Sequence, residues 1–526
     1  MIQTLIVTLC AVLFALGAEG TGAFVRKLLK SDADGFAGPL GMAVLFCVLE
    51  ILYIPSLVFH ASIRYGGIVT LIVALASLCM CYFLKEQKGK IHWIDVIGTA
   101  GMIVLFLLIQ HQLHIVYDGE EFREIVSNAS TARVDLGRYG LQGYDLLASV
   151  LVRWTDPNFM VGFLSVVYHL FFAEMSMNII RRFHLRNKWF AFTLSCYALY
   201  MAAFNSWQIA ESYAGYIWRP MMISLMMYQT FCWLKGKNEW EKYELMFYEG
   251  AGMFVSGGFG MIMMELLYCL AAWLFYKKKI RSLFDMTTLV APWVVYGSMQ
   301  LMRRRAWIGF LLLGAYFVFL VVRYRKKLRR VLRRAEDYML EHAVKIMYII
   351  IPSAVLVLNV LLLFVKKDVL VSLSAYKLYF QEEPLKSFFF MDGSYVSYLL
   401  DFFRWGGLII LMFTAKDDNE KQLRSMYLLF LILFVNPLSM GFMARMSSVS
   451  VYAYSFEVLF NPFTDLCLFI MIYRMFAWQP LGQWVLEFAL LFSAVFSHVG
   501  SFAGRPSGLY TDLVQQARII ETNTGK

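Results

Sequence analysis

With 526 residues, 60% of them hydrophobic and only 16% charged, this chain is not an ordinary soluble enzyme, because apolar runs recur along its whole length and leave no soluble domain of useful size. Its net charge of +11 does not argue for nucleic acid, since the basic residues fall in short clusters between apolar runs, where a cytoplasmic excess of Lys and Arg belongs. The composition predicts an all-α, polytopic transmembrane helical bundle of about 13–15 membrane segments, some short or broken, forming one integral domain over residues 1–526.

In chain order, the first helix is expected from Ile2 to Ala18. It lacks a basic start, and Ala15-Leu16-Gly17-Ala18 is only a weak match to a small-residue cleavage site, so the segment reads as a membrane helix. Further helices are expected near residues 38–59, 66–84, 94–113, 160–179 and 189–204. Basic clusters at Arg26 to Lys30, Lys85 to Lys90, Arg181 to Lys188, Lys235 to Lys242, Lys277 to Arg281, Arg323 to Arg334 and Lys416 to Arg424 place those connections inside. The N-terminus and a first long loop, residues 117–158, are then extracellular. The eight cysteines are scattered through apolar segments and read as small apolar filler.

Between Lys235 and Lys277 both flanks belong inside, so the chain should turn at Ser256-Gly257-Gly258-Phe259-Gly260 as two half-helices lining a cavity; the alternative is that the glycines only allow close helix packing. The same parity puts Arg303-Arg304-Arg305 outside, where it would bind an anionic group, unless the parity itself is misassigned. Residues 323–343 carry a basic cytoplasmic helix, and residues 366–395 an amphipathic piece on the outer surface.

The candidate chemistry begins with Asp118, Glu120 and Glu121, three acids at the end of a membrane helix. Next to lipid such carboxylates can act as a general base or hold a divalent cation, and the bland reading is solvation of a helix end. Arg138, Tyr139, Tyr144 and Asp145 mix aromatic, cationic and acidic groups in a way that suits sugar rings. Trp218 and Arg219 enter a helix together, and Arg219 would either grip a lipid phosphate or snorkel beside the tryptophan. Tyr452, Tyr454 and Glu457 re-enter the membrane, with Glu457 expected to face protein or a cavity. Asp401 and Arg404 should neutralise each other at i and i+3, while Glu50, Glu174 and Glu265 are further intramembrane acids.

This pattern resembles the GT-C superfamily of membrane glycosyltransferases, most closely a group of uncharacterised bacterial multi-spanning proteins with that topology. The resemblance rests on Asp118-Gly119-Glu120-Glu121-Phe122, on Tyr216 to Arg219, and on Asn436-Pro437 followed by Tyr452 to Pro462. It implies that Asp118, Glu120 or Glu121 is the catalytic base, that Asp118 and Glu121 would hold a divalent cation (Mg or Mn), and that the donor is a sugar on a polyprenyl phosphate. Arg219, with Arg303 and Arg304, would take the donor phosphate. Arg138, Tyr139, Tyr144, Asp145, Trp218, Tyr452, Tyr454 and Glu457 would line the substrate site. Departures fall on the donor contacts: the adjacent aspartates usual in the closer group are replaced by Asp118 and the glutamate pair, the expected glycine-lysine is Arg219-Pro220, and an expected arginine is Ser455.

The expected function is therefore transfer of a sugar to an outer-surface glycan, lipid or protein at the plasma membrane. The alternatives are a transporter or flippase of a lipid-linked saccharide, or a non-catalytic envelope-assembly protein. A transferase needs its acids at one outer cavity, whereas a transporter needs polar groups along a path through the midplane.

Overall fold

The computed structural model describes residues 2–31, 36–86, 125–129, 143–155, 157–203, 215–236, 240–256, 259–280, 283–323, 325–326, 329–365, 395–433 and 455–496. Their secondary-structure elements are all helical. Helices α1 (Ile2–Leu29), α2 (Ala37–Phe59) and α3 (Ile63–Met80) are followed by α4 (Gly143–Trp154), α5 (Pro157–Arg182) and α6 (Lys188–Ala203). After a single 3-10 turn at Gly215–Trp218 come α7 (Arg219–Lys235), α8 (Glu241–Val255), α9 (Phe259–Tyr276), α10 (Leu283–Arg303), α11 (Trp307–Arg323) and α12 (Arg329–Glu341). The last are α13 (Ile351–Val365), α14 (Tyr395–Thr414), α15 (Asp418–Leu433), α16 (Pro462–Met475) and α17 (Pro480–Phe496).

Four described helices are long and apolar enough to cross a membrane: Ile6–Leu29, Ala37–Phe59, Ile63–Leu84 and Phe159–Arg182. A fifth results if Arg329–Glu341 and Ala343–Leu358, which meet at 63°, form one broken span. Other apolar helices, such as Trp307–Arg323, are shorter. The outer surface fits a lipid environment, since Trp307, Leu311 and Val318 on α11 and Leu481 and Trp484 on α17 are all exposed. This is a helical membrane protein.

The first helix runs past its expected end at Ala18 to Leu29. Packing explains the extension. A Cβ on Gly22 would lie 1.8 Å from the Ala37 carbonyl oxygen, and one on Gly41 would lie 1.7 Å from that of Ala18. With no side chain in the way, α1 and α2 cross almost backbone to backbone, the small-residue contact that replaces hydrophobic driving force in lipid. The Asp-free stretch between Ala18 and Leu29 is thereby held helical against its neighbours.

The glycine-rich turn separates two helices, α8 ending at Val255 and α9 starting at Phe259; residues 257 and 258 lie outside the described set. Helix α8 lies at the centre, packed by α2, α7 and α10, and is buried over most of its length despite carrying Glu241, Glu244 and Glu249. Helix α12 is mostly exposed, as a basic appendage should be, and is tied back by Arg323 to Glu336 at 3.2 Å. Following it, a π-helical turn at Ile346–Ile350 is anchored to α9 by Tyr268 Oη donating to the Met347 carbonyl (2.9 Å) and Tyr348 Oη to the Ala272 carbonyl (3.1 Å).

Candidate functional site

Of the residues singled out from sequence, Asp118, Glu120, Glu121, Arg138, Tyr139, Tyr452 and Tyr454 lie outside the described residues, as do most of loop 117–158 and the 366–394 part of the outer amphipathic piece. Helix α4 opens at Gly143, where a Cβ would meet Glu50 Oε2 at 2.3 Å and the Phe254 ring at 2.4 Å. Glycine at this position lets α4 start directly against α2 and α8.

That start delivers Tyr144 to Trp218. The indole Nε1 donates to Tyr144 Oη at 2.8 Å, and Trp218 is boxed by the rings of Phe46, Tyr144 and Tyr168 at centroid distances of 5.5, 5.7 and 5.2 Å. Both Tyr144 and Trp218 have 0% of their surface exposed. Both were expected to line the substrate site; here they satisfy each other and form a buried wall. Asp145 is buried beside them.

The next residue, Arg219, opens α7. It is not snorkelling. It is 3% exposed and forms a bidentate pair with Glu457, Nη2 to Oε1 at 2.7 Å and Nε to Oε2 at 3.1 Å. The expectation that Glu457 faces protein holds, and its partner is the arginine assigned to the donor phosphate. That guanidinium fork is already occupied by a carboxylate of matching geometry.

The Asn461-Pro462 junction sets Glu457 in place. Asn461 caps α16 by accepting from the Thr464 amide (3.2 Å), Thr464 Oγ1 accepts from the Asn461 amide (2.9 Å), and Pro462 supplies a first helical residue that needs no amide partner. The Asn461 side-chain Nδ2 then donates to the Glu457 carbonyl at 3.1 Å, while Phe463 N donates to Ser224 Oγ of α7 at 3.3 Å. The turn that carries Glu457 is thus clamped to the helix that carries Arg219.

A second buried pair was only half legible. Arg404 does not chiefly neutralise Asp401, from which it lies 3.7 Å; it makes two 2.8 Å bonds to Asp465 on α16 and stacks 4.9 Å over the Phe460 ring. Arg303 ends α10, and Arg304 and Arg305 form the turn to α11, Arg305 with a positive φ of 56°. The cluster therefore serves a helix C-terminus, where cations are favoured. Arg303, Asp145 and Glu50 all lie within electrostatic range of Tyr296, which puts Arg303 at the Arg219 end of the bundle.

Glu50 and Glu249 are buried, and neither carboxylate has a hydrogen-bond partner among the described residues. Both lie close enough to Cys47 to act on it electrostatically. Glu174 accepts from the Gly38 amide at 3.3 Å beside Glu19, and Glu244 sits 4.0 Å from Arg26. The side chain of Glu265 is outside the described set. No group of three or more metal-ligating side chains occurs among the described residues, and the expected ligands Asp118 and Glu121 lie outside them.

A cavity of about 860 Å³ opens at the other end of α7. Lys30, Arg182, Lys235 and Arg474 stand on its rim with Glu241, Asp417 and Glu420, over a floor that includes Tyr228, Phe231 and Leu468. Arg219 and Lys235 are separated by the whole of α7, roughly 24 Å of helical rise. No family model, no curated protein and no solved structure matches the chain.

Proposed function

We propose that the chain is a plasma-membrane glycosyltransferase, its N-terminus and first long loop outside, that moves a sugar from a polyprenyl-phosphate donor to an outer-surface glycan, lipid or protein. The observation that carries this reading is convergence. Tyr144, which closes the acidic loop, Trp218 and Arg219, and Glu457 of the aromatic segment come from three distant stretches of sequence and meet in one buried cluster. In this reading Asp118 or Glu121 takes the proton of the acceptor hydroxyl, the oxygen attacks the anomeric carbon, and the bond to the lipid phosphate breaks with its electron pair on phosphate. Arg219 exchanges carboxylate for phosphate oxygens as the leaving charge develops, and Glu457 keeps the guanidinium oriented and paired when no donor is bound. Arg303 adds positive potential at the same end. A divalent cation, Mg or Mn, would be held by Asp118 and Glu121.

A specific observation favours a second reading, transport of a lipid-linked saccharide. Glu50 and Glu249, unpartnered among the described residues, with Glu174 and Glu244, place carboxylates deep inside the bundle, where ionisable groups mark substrate and ion paths. The two readings separate in one experiment with the full chain in proteoliposomes and a polyprenyl-phosphate sugar. Transfer predicts that Asp118→Asn abolishes product while Glu249→Gln does not. Transport predicts the reverse, with translocation of intact donor lost in Glu249→Gln. A cysteine at Ser130 labelled by an impermeant thiol reagent only after membrane rupture would overturn the orientation.

A further inference from the structure

We propose that the cavity at the Lys235 end of α7 binds an anionic amphiphile, an acidic headgroup carrying at least one acyl chain, independently of the chemistry assigned to the Arg219 end. The volume of about 860 Å³ falls within the range of sites that enclose a whole small ligand, roughly 300–1,000 Å³. Its charged lining is unevenly balanced. Asp417 lies 3.9 Å from Arg474, and the Glu420 carboxylate accepts the amide hydrogens of Lys416 (2.9 Å) and Asp417 (3.3 Å), so both acids are engaged. The lining also holds the cations Lys30, Arg182 and Lys235 and one further acid, Glu241. Lys235 is exposed and has no ion pair among the described residues.

Below this cationic rim the floor of Tyr228, Phe231, Phe463, Leu468 and Met471 is aromatic and aliphatic. A small hydrophilic anion would leave that floor covering only water, and a neutral lipid would leave Lys235 without a counter-charge. A chain with an acidic head satisfies both, with direct charge-assisted bonds at the rim and apolar surface buried beneath it.

The site carries its own reporters, because Cys232 and Cys467 line it while the exposed Cys79 does not. The full chain in detergent micelles is alkylated with N-ethylmaleimide, site by site, in the presence of dioleoyl phosphatidic acid, dioleoyl phosphatidylcholine or inorganic phosphate. Phosphatidic acid should slow labelling of Cys232 and Cys467 by about tenfold, leaving Cys79 unchanged, and neither other probe should protect comparably. Lys235→Gln, a change at an exposed residue, should weaken protection by about tenfold. Leu468→Trp, which fills the floor, should abolish it. Equal protection by phosphatidylcholine would remove the headgroup from the proposal, and protection by phosphate alone would remove the chain. No protection by any probe, or protection by phosphatidic acid untouched by Lys235→Gln, would overturn the site.

Discussion

Arg219 and Glu457, 238 residues apart in sequence, close a bidentate pair in which both partners are almost fully removed from solvent. Such a pair contributes little beyond a well-packed apolar substitute, but its halves cannot be separated cheaply. Removing one side leaves an uncompensated charge in a low-dielectric interior.

Arg219→Ala and Glu457→Ala should therefore each destabilise the protein by roughly 3–5 kcal/mol, read as a lowered thermal midpoint in detergent micelles. Arg219→Lys should recover only part of this, because an ammonium cannot reproduce the two parallel bonds of the guanidinium. Full recovery by lysine would show that charge alone, without the fork, holds the junction.

For Arg404 and Asp465, the double variant Arg404→Met with Asp465→Leu should be considerably more stable than either single substitution, each of which costs about 3–5 kcal/mol. Additive losses in that cycle would mean that the pair is not coupled.

At the crossing of α1 and α2, Gly22→Leu and Gly41→Leu should prevent native packing, a loss of about 3 kcal/mol or more, since the added carbon would meet backbone and not a movable side chain. Gly406→Ala, where nothing lies within 4 Å of the new carbon, should be neutral or slightly stabilising. Folded yield by size-exclusion chromatography distinguishes the two outcomes.

The pH dependence has a definite sign at Glu241, at the cavity rim. Burial first, then the Glu244 carboxylate, raise its pKa from 4.5 to about 7, against the lowering influence of Lys279, Arg182 and Arg26. The native state thus keeps a proton that the unfolded chain releases. The stability linked to this group is fully present below 4.5 and is lost as the pH rises through about 7. Its total is at most about 3 kcal/mol, and less once solvent screening is allowed for. Glu241→Gln should flatten the fall of thermal midpoint across that interval; an unchanged slope would assign the effect to another group.

The helical, membrane-embedded character was legible because hydropathy acts over whole segments, and the break between α8 and α9 was legible because glycines fall between two basic clusters that were expected on the same side. The pairing of Arg219 with Glu457 was not, although both residues were singled out, because nothing local records which helix faces which across 238 positions. Arg404 illustrates the same limit: an acid one turn away suggested a partner, and tertiary packing supplied a better one in Asp465. Glu244 and Glu249 had a local signal, acids recurring in the apolar run Glu241 to Val255, but it was absorbed into the basic cluster beside it. The cavity had none, since its lining comes from the ends of several helices.

Helix α7 joins these features mechanically. Its 17 residues form a stiff strut with the Arg219 junction at one tip and the cationic rim at the other, and it is packed along its length by α8 and α16. A helix resists axial compression far better than loops do, so a shift of its first turn displaces its last. Drawing Arg219 off Glu457 would push or tilt the strut, and the rim at Lys235 would register that movement. The two ends of the bundle are thus joined by one continuous element, and any movement of one tip would reach the other through backbone alone.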